Sequence, residues 1–293
     1  MKNNFAIPGI IVGAICLMCT LVSCERHVAA ESKPIQEVDE SIPFKLGVVD
    51  SIWSSALSEN RILNIYLPDD FDRDSIAWKK YPVIYLLDGS KDEDFVHTAG
   101  VVQFMNMIGR LPRVILVGIA NVDRKRDFSF PTTIEQDKID YPTTGKSAPF
   151  ISFLGNELKP FIEMKYGGTE HSTFIGQSLG GLLATEILFK HPCMFDDYLI
   201  VSPSLWWDNQ SLFQYADGIR KNDVCGERGV YLTVGTEGKE MEKPAEKLAA
   251  LLDSIPDEKL KLTFFPLKKE NHATILHHAI YEMIELRYHA TTK

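Results

Sequence analysis

Cysteine is scarce, with five among 293 residues, and no Cys/His cluster has the ligand spacing of a zinc site, so the sequence offers no basis for a metal centre. Basic charge is short too. Thirty-one Lys and Arg face 40 Asp and Glu, for a net charge of −9, and no basic stripe runs along the chain. Binding to a nucleic-acid backbone is therefore not expected. There is no internal repeat and no low-complexity tract, which argues against solenoids and disordered arrays. What remains has ordinary globular composition, 45% hydrophobic and 24% charged, enough to bury a sizeable core.

The N-terminus reads as an address. Lys2 is the only charge before Glu25, and the apolar run Phe5 to Val22 follows it, the layout of a secretory signal. It ends in Leu21-Val22-Ser23-Cys24, which resembles the lipobox of bacterial lipoproteins. That resemblance implies a signal peptide over 1–23, lipidation of Cys24, and export to a membrane-anchored site in the cell envelope. Pro8, Gly9 and Gly13 make the run a poor transmembrane anchor. Residues 24–42 are polar and form a tether, and one domain over 43–293 is the simplest account of the rest. Cys16 and Cys19 leave with the signal. Cys193 and Cys225 remain, free to pair in an oxidising compartment, although nothing in their spacing demands it.

The domain alternates short β-branched runs with helical patterns. Strands are expected at Val48–Ser54, Arg61–Leu67, Tyr81–Leu87, Val114–Ile119, Ser172–Gly176, Tyr198–Val201, Val230–Val234 and Leu260–Phe265. Helices are expected at Ser147–Tyr166 (kinked at Pro160), Leu179–Lys190, Met241–Leu252 and Ala273–Tyr288. This is an α/β pattern: a mostly parallel sheet with helices on both faces and an antiparallel N-terminal edge.

One motif carries chemistry. Gly176-Gln177-Ser178-Leu179-Gly180-Gly181 stands directly between a strand and a helix, the context of a nucleophile elbow. Ser178 needs a base, and in this fold the parts follow in the order Ser, acid, His. His272, on the loop after the last strand, fits that order. Glu237, after the strand Val230–Val234, is the first candidate for the acid; Glu240 is the reserve and Asp208 a third option. The Leu179 amide should face the developing oxyanion, with a second donor from Gly89 or Ser90. Trp206 and Trp207 follow a strand on the catalytic edge, where they would either wall a substrate pocket or pack into the core under a lid. The long polar segment from Asn121 to Lys146 is read as a loop over the site.

Tyr85-Leu86-Leu87-Asp88-Gly89, the elbow, Ser202-Pro203-Ser204-Leu205-Trp206-Trp207 and Glu270-Asn271-His272 occur in that order. Together they resemble the esterase D family, especially its branch related to siderophore trilactone esterases. Arg126-Asp127, Thr144-Gly145-Lys146 and Glu157-Leu158-Lys159-Pro160 extend the likeness. The resemblance implies an α/β-hydrolase fold and a serine carboxylic-ester hydrolase with Ser178 and His272 as its working pair. It also implies no metal or organic cofactor, and a small-molecule or glycan-linked ester as substrate. Some members use a weak acid or none, which leaves Glu237 open. An acyltransferase of the same fold and an inactive binding lipoprotein are the rival readings.

Overall fold

A computed structural model describes residues 41–75, 80–221 and 225–289. The signal segment 1–23, Cys24 and the tether as far as residue 40 lie outside the described residues. Phe44–Lys293 forms one compact unit.

Eight strands make one sheet: β1 (Val48–Ser54), β2 (Glu59–Tyr66), β3 (Tyr81–Leu86), β4 (Ile115–Ile119), β5 (Gly168–Gln177), β6 (Asp197–Val201), β7 (Arg228–Thr233) and β8 (Leu260–Phe264). Their order is β1-β2-β4-β3-β5-β6-β7-β8. β1 pairs antiparallel with β2 and β2 antiparallel with β4; every other pairing is parallel. Parallel strands must lie under helices on both faces, which is why β4, β6 and most of β3 and β7 are buried at every position.

Alternate residues of each strand feed two cores. Val83, Tyr85, Phe174, Tyr198, Ile200, Val230 and Leu232 face one, with side chains from helices Leu179–Lys190 and Lys239–Asp253. Ile84, Leu86, Ile175, Leu199, Val201 and Tyr231 face the other, with helices Phe95–Met107 and Ile275–His289. Each fully buried aliphatic side chain contributes about 1.5–3 kcal/mol, so the two layers fix the sheet and thereby the strand ends.

Three features differ from the expectation. The helix Phe95–Met107 has no counterpart in the sequence reading. The segment 121–146 carries two short helices, Arg124–Phe128 and Glu135–Asp140. The kink expected at Pro160 takes the form of a π turn at Leu154–Leu158 between helices Ser147–Phe153 and Lys159–Tyr166. That wider turn lets Pro160, which has no N–H to donate, sit in the first turn of the second helix. Cys193 and Cys225 are joined as a disulfide.

Candidate active site

Three neighbouring strands, β3, β5 and β6, end in residues with left-handed φ: Asp88 (+52°), Ser178 (+61°) and Ser202 (+41°). None is glycine, so each turn stores roughly 1–3 kcal/mol of strain held by the sheet beneath. At Ser178 the bend is enforced by crowding. A Cβ on Gly176 would lie 2.3 Å from the Gly180 carbonyl oxygen, and one on Gly181 would lie 2.9 Å from the Pro203 Cα. The Ser178 N–H donates to the Val201 carbonyl (3.0 Å), and its own carbonyl accepts from Leu182 (2.9 Å) and Ser204 (3.0 Å). The backbone is thus locked while the hydroxyl stays at the surface of a cavity. Leu179 opens the following helix, so its N–H has no acceptor one turn back.

His272 and Glu237 meet as the chain order requires. His272 Nδ1 lies 2.5 Å from Glu237 Oε2. The Glu237 carboxylate is only 3% exposed, and its other oxygen accepts from Ser202 Oγ (2.5 Å) and the Gly235 N–H (3.0 Å). Burial alone would push this carboxyl up; the hydrogen bonds from His272, Ser202 and Gly235 outweigh it and hold the group below the ordinary glutamate range. Two further ties fix the His272 loop: Gln177 donates to the His272 carbonyl, and the Thr236 N–H donates to the Glu270 carbonyl (2.8 Å). The Ser178 hydroxyl rests 3.3 Å from Ser204 Oγ. Ser178 and His272 line the same two cavities. The two side chains therefore face shared space, and catalytic hydrogen bonds are often long or poorly aligned before substrate arrives.

The other expected residues divide. Trp206 lines the site, half-buried beside Ser178 and Ser204. Trp207 does not. It is fully buried, and its indole N–H donates to the Phe130 carbonyl (3.0 Å), so it is a core strut. The Gly89 amide is spent on the Ile119 carbonyl (3.0 Å), and a Cβ there would lie 2.3 Å from the Gly118 Cα. Gly89 is thus a packing glycine between β3 and β4, not a free oxyanion donor. Asp208 binds Thr132, Thr133 and Ser211 rather than any histidine. Glu240 is exposed at a helix start, and the loop amides of Glu237 and Gly238 are capped instead by Glu242 (2.8 and 2.7 Å).

Sequence reasoning missed Ser202, whose role needs a contact 35 residues away. It also missed Arg124, which grips Asp88 with two nitrogens (2.6 and 2.9 Å) beside Ser178. A half-buried quartet of charges sets the helix that carries Arg124. Arg61 and Asp127, both fully buried, pair at 2.7 Å, and Arg126 bridges Asp127 to Glu59. The motif Arg126-Asp127 was its only trace in the sequence.

Comparison with known proteins supplies the family. The model of the family described as "Putative esterase" matches residues 54–264, well over half the chain. The chain belongs to that family. It is 27% identical over 244 residues to the ferri-bacillibactin esterase BesA of Bacillus subtilis, covering 76% of this chain and 83% of that one. Among solved structures it resembles the BES protein of Bacillus cereus (28% identity, TM-score 0.73, 85% and 96% of the two chains). It also resembles an IroE-like serine hydrolase of Shewanella oneidensis (25%, TM-score 0.74, 83% and 80%). The fold is that of an α/β-hydrolase, and the protein is a carboxylic ester hydrolase.

Three cavities of this esterase converge on Ser178. One, of about 490 Å³, is lined by Arg124, Lys125, Tyr141, Leu179 and Trp206. Another, of about 500 Å³, is lined by Trp206, Met241 and His272. The third, of about 430 Å³, is lined by Asp88, Glu93, Asp94 and His272. Among the described residues no three His, Cys, Asp or Glu side chains are grouped so as to hold a metal ion.

Proposed function

We propose that the esterase works through an acyl-enzyme on Ser178. His272 Nε2 takes the hydroxyl proton as Oγ attacks the ester carbonyl, and the Leu179 N–H stabilises the oxyanion. The bond to the alcohol oxygen breaks, and that oxygen receives the proton from His272. Water, deprotonated by His272, then releases the acid and regenerates Ser178. Glu237 holds the imidazole with its proton on Nδ1 and stabilises the charged form. The observation that carries this reading is the His272–Glu237 contact at 2.5 Å in the wall of a cavity that also contains the Ser178 hydroxyl. The names of the relatives support siderophore esters as substrates, with carbohydrate-linked esters as the second class. Wild type should cleave p-nitrophenyl acetate and a ferric catecholate trilactone, and Ser178→Ala should lose both; turnover surviving in that variant overturns the reading.

The Leu21-Val22-Ser23-Cys24 sequence supports export, cleavage before Cys24 and lipidation there. Several acyl chains would anchor the protein firmly to a membrane of the cell envelope. Mass spectrometry of the N-terminal peptide tests this, and an unmodified Cys24 in membrane-extracted protein refutes it.

A further inference from the structure

Helices Phe95–Met107 and Ile275–His289 pack side by side on one face of the sheet. Where they meet, His97 and His277 come together although 180 residues separate them in the chain. Their Nδ1 atoms lie 3.3 Å apart and their ring centroids 5.4 Å apart. No local spacing announces such a pair, because its two members belong to different helices.

The neighbours set the proton positions. Asp94 Oδ1 lies 3.1 Å from His97 Nε2. A carboxylate only accepts, so the neutral His97 ring carries its proton on Nε2 and turns a bare Nδ1 lone pair toward His277. Distance then separates two uses of the pair. A backbone or ring N–H ordinarily sits about 2.9–3.0 Å from its acceptor, and these two nitrogens are farther apart than that. Two nitrogens bound at about 2.0–2.1 Å to one tetrahedral ion lie about 3.3–3.4 Å from each other, which is the separation found. Asp94 adds the usual companion of a metal-binding histidine, a carboxylate on the other ring nitrogen that fixes the tautomer and raises basicity. The third histidine nearby is engaged elsewhere: His278 Nδ1 lies 2.7 Å from Glu270 Oε1. His97 is one-third exposed and His277 is exposed, which leaves water free to complete the coordination.

We propose that His97 Nδ1 and His277 Nδ1 form a two-histidine site for a borderline divalent transition-metal ion such as zinc, with water in the remaining positions, and that the bound ion clamps the two helices together. In the metal-free pair His277 Nδ1–H donates to His97 Nδ1. On binding, that proton moves through solvent to His277 Nε2, so both rings stay neutral and both Nδ1 lone pairs face the ion. The site takes no part in ester hydrolysis and stands apart from the Ser178–His272 reading.

Zinc chloride titrated calorimetrically into the full chain, freed of metal with EDTA, tests the site. One ion per chain should bind here. His97→Gln and His277→Gln should each weaken that event by about tenfold or more, and His278→Gln should leave it unchanged. Zinc at about a hundred times its Kd should raise the Tm of wild type by about 5 °C and that of neither weakened variant. Both side chains reach the surface, so the Gln variants should keep the metal-free Tm of wild type. Absence of zinc binding overturns the site, as does an affinity unmoved by either substitution. A loss in only one of the two variants overturns the shared ligation.

Discussion

Replacing Glu237 by Gln tests the charge relay at its least exposed member. The carboxylate oxygen that faces Ser202 and the Gly235 N–H must remain an acceptor. The new NH2 is therefore turned toward His272 Nδ1; the flipped amide would set NH2 against the Gly235 N–H, a loss of about 1–3 kcal/mol. With a donor facing it, Nδ1 becomes an acceptor, and the ring proton moves to Nε2, the atom that should receive the Ser178 proton. The imidazolium formed during attack also loses its counter-charge. That is worth about 4 kcal/mol near a protein surface, and roughly half as much for a ring as open as His272, 45% exposed. The sum of roughly 3–5 kcal/mol corresponds to a fall of about 10²–10⁴ in kcat. KM should stay within about threefold, since Glu237 makes its bonds to His272 and not to the ester. Glu237→Ala, which cannot dictate the tautomer, should be no slower than Glu237→Gln, and Glu240→Gln should match wild type. Steady-state kinetics with p-nitrophenyl acetate at neutral pH would decide the matter. A Glu237→Gln enzyme within tenfold of wild type, or an Ala variant far slower than Gln, would refute the reasoning.

Three further outcomes are expected. Trp207→Ala should lower stability by about 3–5 kcal/mol in urea denaturation, whereas Trp206→Ala should change kinetics with a loss below about 1.5 kcal/mol, because only Trp207 is enclosed. Asp127→Ala strips a fully buried Arg61 of its buried partner and should cost about 3–5 kcal/mol, with near-wild-type stability refuting the role given to the quartet. Glu237 is held below its ordinary value of 4.5, so its contribution to stability is complete above that pH and is lost as pH falls through its lowered folded value. The stability gap between wild type and Glu237→Gln should accordingly narrow below pH 4.5 in stepped-pH urea melts; a gap that widens would reverse the sign assigned here.

The elbow and the sheet were legible because both are local. A glycine-flanked serine between a strand and a helix has few structural alternatives, and β3 to β8 are short β-branched runs separated by helices. The helix Phe95–Met107 escaped because Val96, Phe104 and Met107 are exposed while Phe95, Val101 and Met105 are buried. With apolar residues all round it, no 3.6-residue contrast survives. Gly89 was misread for a related reason: its amide is claimed by a strand 30 residues on, a contact no neighbouring residue announces. Trp206 and Trp207 are adjacent in sequence yet face the site cavities and the core respectively, and only the bond to the Phe130 carbonyl tells them apart. The cysteine pair was open on spacing alone and is joined because its two loops meet below the sheet edge that starts β6 and β7.

The three left-handed residues at the ends of β3, β5 and β6 have a bearing on how the enzyme fails. Their conformations are tolerable only while adjacent strands hold register, so any loosening of that edge releases them before the helical layers separate. Loss of turnover should then precede loss of far-ultraviolet ellipticity along a denaturant ramp, making catalysis an early gauge of damage to this molecule. Formulations or substitutions that protect activity would have to stiffen the rim of the sheet, and thickening the cores alone would leave that weakness in place.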